Sequence, residues 1–185
     1  MARLPYLEKS DLDAADHDIL DRDINLYKIL AHSPDAARAF QGLGKFIRYG
    51  SKLDPRLREI AILVVGYLAR SPYEYSHHIK IGRDFGVSDD DIRGLMTEAE
   101  GRPSALDPLA RLVVAAAREM TNDGSVSDAT FAALSEDLDN ERLLDLIITI
   151  AFYNGVVRVL ASTGIDVEDS YMPYLNEFPL PAARA

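Results

Sequence analysis

An all-α fold is predicted by three features of the sequence. Four pairs, Ser33-Pro34, Asp54-Pro55, Ser71-Pro72 and Asp107-Pro108, put a capping side chain before a proline. Proline at the first helical position gives up no hydrogen bond, so each pair marks a helix start. Apolar residues fill nearly every place from Ile60 to Ala69, and a helix there is apolar all round and belongs in a core. Nowhere does the chain sustain the polar-apolar alternation of an amphipathic strand.

Taken in order, residues 1–15 carry Pro5 and scattered charges without a period, and read as an extended arm of the kind that packs on a neighbouring subunit. Between Asp16 and Ala31 the apolar residues predict one or two short helices broken near Asn25. Helices then follow from Pro34 to about Arg48, from Asp54-Pro55 through the apolar run, and from Ser71-Pro72 to a stop at Gly86, where glycine takes a left-handed turn. Ser88 recaps a helix over 89–98 with acidic residues in its first turn. Asp107-Pro108 opens a helix to about Met120, Asn122-Asp123-Gly124 turns, Ser127 starts a short helix, and Asp139 or Asn140 starts the last long one, to about Ser162. The tail, 168–185, holds Pro173, Pro179 and Pro181 and is expected to be extended rather than helical throughout. The expected organisation is one domain over 1–185 with its core at 34–165. LDPRLREIAILVVGYL from Leu53 echoes LDNERLLDLIITIAFY from Leu138, which fits a bundle with two pseudo-symmetric halves.

Composition narrows the function classes. Thirty acidic against twenty basic side chains leave a formal net charge of -10, which argues against a nucleic-acid partner. The absence of cysteine excludes thiol nucleophiles, disulfide cycles and Cys-ligated metal. No signal-like segment opens the chain and no apolar run is expected to span a bilayer, so no membrane partner is expected and the cytoplasm is the default compartment.

The chemistry is expected between Leu53 and Leu95. Glu74 and His78 lie four apart and share a helical face. A carboxylate beside an imidazole orients it and makes a proton shuttle near neutral pH. Against this, Ser71-Pro72-Tyr73-Glu74 also reads as a capping box, in which Glu74 bonds back to the Ser71 amide. Adjacent His77 and His78 point about a quarter-turn apart, so one of them reads as a surface or packing residue. Arg56 and Arg58 are candidates to bind a substrate carboxylate, or else partners of Asp54, Glu59 or another helix. Glu59 reads as a buried acid or base, or as an arginine's partner. Tyr153, Asn154 and Arg158 form a second polar set that either lines a pocket or satisfies itself between helices. No His-Glu-x-x-His motif occurs, and neither a metal nor another cofactor is expected.

The LDPRLREIAIL helix, Tyr73-Glu74-Tyr75-x-x-His78 and Gly86-Val87-Ser88 together resemble the carboxymuconolactone decarboxylase family, which includes the alkylhydroperoxidase-like proteins; Phe152-Tyr153-Asn154 and Val157-Arg158 resemble its longer members. The resemblance implies an alkylhydroperoxidase-like helical bundle assembled as a homotrimer or homohexamer. It implies one of two chemistries. The peroxidase branch uses a Cys-x-x-Cys pair, placed here at Tyr73 and Ser76, which cannot form a disulfide. The decarboxylase branch resembles this chain in Glu74 and His78, and implies a cofactor-independent lyase of aromatic compound catabolism acting on a small carboxylated ring or lactone. In that carry-over His78 supplies the proton, Glu74 orients it, Arg56 or Arg58 holds a carboxylate, and Glu59 and Tyr75 are further candidates. The alternatives are a non-enzymatic oligomer that binds a small ligand or a protein, and peroxide reduction through a metal or haem.

Overall fold

The structure, a computed structural model, describes residues 2–181. Among them the helices are α1 (Asn25–Leu30), α2 (Pro34–Tyr49), α3 (Pro55–Leu68), α4 (Pro72–Asp84), α5 (Asp89–Ala99), α6 (Pro108–Asn122), α7 (Asp128–Asp137), α8 (Asn140–Thr163) and α9 (Met172–Glu177), with 3-10 turns at Lys9–Asp11, Ala14–Leu20 and Asp169–Tyr171. No strand occurs among the described residues. The all-α expectation therefore holds.

Most of the expected starts are made by the expected chemistry. The side chains of Asp54, Ser71, Ser88, Asp107, Ser127 and Asp139 each accept a hydrogen bond from the third amide of the helix they open. Ser33 is the exception: Pro34 starts α2, but the Ser33 hydroxyl makes no cap bond. Gly86 ends α4 region at φ 93°, a conformation that only glycine adopts without strain.

Helix α3 is the axis of the bundle. Every residue from Leu57 to Tyr67 is buried, and α4, α5, α6 and α8 pack around it. The connection from α3 to α4 is short because Arg70 takes a left-handed turn at φ 49° and the Ser71 amide donates to the Gly66 carbonyl at 2.9 Å. A Cβ on Gly66 would stand 3.2 Å from the Tyr75 nitrogen and 3.3 Å from its Cα. The start of α4 thus lies directly on α3, at a distance that would crowd any Cβ.

The ends of the chain depart from expectation. The arm is not extended throughout, because it contains the turn at Lys9–Asp11 and leads into the turn at Ala14–Leu20, whose Ile19 and Leu20 pack with Ala31 and Ala37 in a second apolar cluster. The tail also folds. Pro173 stands in the first turn of α9, where its missing N–H is no loss, and Phe178 is buried in the main core. Met1 and residues 182–185 of the expected arm and tail lie outside the described residues. The two ends clasp each other: the Arg3 amide donates to the Thr163 carbonyl at 2.7 Å, and the Asn25 amide to Glu168 at 2.8 Å. Helix α8, contrary to expectation, is long and apolar enough by length and composition to cross a membrane, yet 56% of that stretch is packed inside the fold.

Two glycine substitutions test this packing. Gly66→Ala pushes a methyl against backbone that cannot swing aside and is expected to destabilise by roughly 1–3 kcal/mol. Gly42→Ala, in exposed α2 with nothing near its Cβ, is expected to stabilise by roughly 0.5–1 kcal/mol. Urea midpoints at an unchanged m-value read both. Equal effects of the two would mean that the α3–α4 approach is not tight.

Candidate functional site

The close approach of α4 to α3 brings three titratable side chains into line. Glu59 rises from α3, and Glu74 and His78 sit one turn apart on α4. His78 Nδ1 lies 2.7 Å from Glu59 Oε2, and Nε2 lies 2.9 Å from Glu74 Oε1. All three residues are buried. The other oxygen of Glu59 accepts from Arg58 Nε at 3.0 Å; Arg58 also donates to the Arg48 carbonyl at 3.1 Å and lies 4.6 Å above the Phe85 ring. The edge of the Tyr153 ring meets His78 with centroids 5.0 Å apart.

The charge states follow from this geometry. Burial alone would push the His78 pKa down, but Glu59 and then Glu74 outweigh it and raise it to about 9. Burial alone would push Glu59 up, yet the charges of His78 and Arg58 hold it below the usual carboxylate range. Burial, reinforced by Glu74 and Glu59, pushes the Tyr153 phenol up, so it is neutral near pH 7. The cluster at that pH is an imidazolium clamped by two carboxylates and backed by a guanidinium.

Glu74 and His78 line a cavity of about 410 Å³. Its aromatic wall includes Tyr27, Phe40, Phe152 and Tyr153, and Lys45 and Arg48 enter it from α2. Glu59 is not among the lining residues and stands behind His78. The Glu74 carboxylate is therefore no capping-box member: the Ser71 amide already has the Gly66 carbonyl, and the side chain goes to His78. Oε2 of Glu74 has no hydrogen-bond partner among the described residues, whereas both oxygens of Glu59 and both nitrogens of His78 are engaged. Both ring nitrogens of His78 being taken, it offers no lone pair to a metal, and among the described residues no group of three or more His, Asp or Glu side chains is placed to hold one.

Of the other sequence candidates, His77 and Tyr153 reach the cavity lining and the rest lie elsewhere. Arg56 is absent from the cavity lining and is held by Asp91 at 3.0 Å and Asp107 at 2.9 Å. Arg58 is also outside it, committed to Glu59. Tyr75 is wholly buried beside Tyr67, with ring centroids 5.6 Å apart, and its hydroxyl has no partner among the described residues. His77, a quarter-turn from His78, is buried rather than on the surface, stacked between Tyr73 and Tyr171 with Nε2 2.7 Å from Glu168. The second polar set divides. Tyr153 enters the cavity, while Asn154 is satisfied by Thr121 and Arg158. Of the positions that the resemblance gave to a cysteine pair, Tyr73 bonds Glu168 and Ser76 bonds the Tyr73 carbonyl, so neither points its polar group at His78. Sequence reasoning missed Arg48 and Lys45, whose three-residue spacing near the end of α2 is the only signal they carry.

The sequence model of the Carboxymuconolactone decarboxylase family matches residues 34–119. No curated protein matches the chain. Among solved structures, the alkylhydroperoxidase AhpD core protein of Ralstonia eutropha JMP134 is similar at 21% identity, with TM-score 0.78, over 94% of this chain and 95% of that one. The debrominase Bmp8, as a cysteine-to-alanine form in complex with 2,3,4-tribromopyrrole, is similar at 18% identity, with TM-score 0.81, over 96% of this chain and 100% of that one. A peroxidase-related protein from Silicibacter sp. TM1040 is similar at 21% identity, with TM-score 0.65, over 80% of this chain and 78% of that one. At these identities the likeness carries the alkylhydroperoxidase-like fold and nothing finer.

The clamp has a signature in pH. With a folded pKa of about 9 against roughly 6.5 in an unfolded chain, protonated His78 stabilises the fold in full below the unfolded value. That contribution is lost as pH rises through the folded value. The His78 imidazole signal in NMR is expected to titrate near pH 9, and the urea midpoint to fall between roughly pH 6.5 and 9 and then level off. A midpoint near 6.5 would mean that the two carboxylates do not hold the proton.

Proposed function

We propose, for a chain whose residues 34–119 belong to the carboxymuconolactone decarboxylase family, a cofactor-independent lyase that acts by proton transfer on a small carboxylated ring or lactone. The observation that carries this reading is the His78 imidazolium clamped between buried Glu59 and cavity-facing Glu74. Loss of carbon dioxide breaks a carbon-carbon bond and leaves its electron pair on the ring as dienolate or carbanion. The site must then offer a proton and tolerate the transient charge.

The roles follow from which atoms are free. Both His78 nitrogens are engaged, so the route to substrate runs through Glu74: the Nε2 proton passes to the carboxylate, and Glu74 hands a proton to the carbon. Glu59 stays bonded to Nδ1 and holds the ring in orientation, the part that the resemblance gave to Glu74. Decarboxylation consumes one proton per turnover, which solvent at the cavity returns to the pair. Peroxide reduction by thiols needs cysteines that the chain does not contain. The reading includes self-association as a trimer or hexamer, which the exposed apolar residues Leu43, Phe46 and Tyr49 on α2 and Leu144 on α8 support.

Carbon dioxide release from carboxymuconolactone and related lactone acids, followed with ultraviolet absorbance, tests the reading. Wild type is expected to turn over at least one of them, with activity falling above pH 9. His78→Ala is expected to abolish turnover and also to lower stability, since it leaves buried Glu59 without one partner, and Glu74→Gln to lower kcat roughly 10²–10⁴-fold. Turnover by His78→Ala within a few-fold of wild type would remove His78 from the mechanism.

A further inference from the structure

The charges around the cavity do not all find partners. Arg58, Glu59, His78 and Glu74 form a set of two cations and two carboxylates that neutralises itself. Two acids at the cavity wall, Asp18 and Asp21, are taken by Arg38 at 3.1 Å and Lys9 at 3.2 Å. Of the cations there, Arg22 is exposed and lies 5.6 Å over the Tyr27 ring, and Lys45 is exposed. Arg48 is different. It is half-buried, and its guanidinium meets no carboxylate or other hydrogen-bond acceptor among the described residues. A guanidinium withdrawn from water without a partner is costly, and its planar fork is shaped for a carboxylate.

We infer that Arg48 is the anchor for a carboxylate that the ligand keeps, and that the cavity takes a planar carboxylated ring packed against Phe40, Phe152 and Tyr153. The Phe40 and Phe152 rings meet at 4.8 Å and 54° and Phe152 and Tyr153 at 5.4 Å and 84°, which gives a continuous, angled aromatic wall beside the cation. Arg22 and Lys45 also lack a carboxylate but stand in water, so the half-buried Arg48 is the cation there that an anionic group would relieve most. The volume of about 410 Å³ suits a ring of one or two cycles. This deepens the lyase reading and rests on it only for the placement of the reacting carbon toward Glu74. It moves the carboxylate-binding role from Arg56 and Arg58, whose forks are filled by Asp91, Asp107 and Glu59, to Arg48.

The test is calorimetric titration of the full chain with benzoate and with its neutral isostere benzamide. Benzoate is expected to bind wild type at least roughly 10-fold more tightly than benzamide. Arg48→Met is expected to remove that preference, Arg48→Lys to keep part of it, and Lys45→Met to change it much less. A circular dichroism melt verifies that each variant is folded. The proposal is overturned if wild type shows no preference for benzoate, if folded Arg48→Met retains it, or if Lys45→Met rather than Arg48→Met abolishes it. Should Arg48→Met not fold, the preference in wild type and in Arg48→Lys still decides. Absence of turnover on every lactone acid would defeat the lyase reading and leave this binding result standing, and loss of benzoate preference would leave turnover standing.

Discussion

Burying Glu59 at the head of the apolar run of helix α3 is the constraint from which the site follows. A lone carboxylate at that depth would cost several kcal/mol, roughly, and would take up a proton instead. It stays charged because α4 lies close enough for His78 to reach it at 2.7 Å and because Arg58 covers its other oxygen. That approach depends in turn on Gly66, since a side chain there would meet the Tyr75 backbone. Removing either partner leaves an uncompensated buried charge, which is far more damaging than replacing the whole set with apolar residues. The arrangement is therefore poor evidence of stability for its own sake. Its consequence is a proton held at the cavity wall in the pH range where an isolated histidine would have released it.

Most helix boundaries were legible in the sequence because they rest on local chemistry. A capping side chain followed by proline decides a helix start within four residues, and Asp54, Ser71 and Asp107 do what their sequence context announces. Glu74 shows where local reasoning stops. The capping-box reading was equally good locally, and what overturned it was the Gly66 carbonyl, which reaches the Ser71 amide only because the chain doubles back at Arg70. Arg56 and Arg58 lie outside the cavity lining for a related reason. Their fates are set by Asp91, Asp107 and Glu59, two of which come from other helices, and no periodicity reveals such partners. Arg48 was overlooked because a cation near a helix C-terminus has a sufficient explanation in the helix dipole.

The two adjacent histidines show how one helical step separates two functions. His78 faces α3 and finds Glu59; His77, about a quarter-turn away, faces the C-terminal segment and finds Glu168 between two tyrosine rings. Glu168 also accepts from Tyr73 and from the Asn25 amide. The His77 contact thereby ties α4, α1 and the tail into one wall. Folding of the tail against α4 is thus coupled to the shape of the cavity that His77 and His78 both line.

The family model covers only part of the cavity that this coupling shapes. The family match spans 34–119 and includes Arg48, Glu59, Glu74 and His78. Much of the remaining cavity wall lies outside it, in Ile19, Ile24, Leu26 and Tyr27 on one side and Phe152, Tyr153 and Val156 on the other. A proton relay needs only a few atoms at fixed spacing on two packed helices, so it can persist while the flanking segments diverge. The shape of the cavity in this chain is accordingly a property of how its two ends close over α3 and α4.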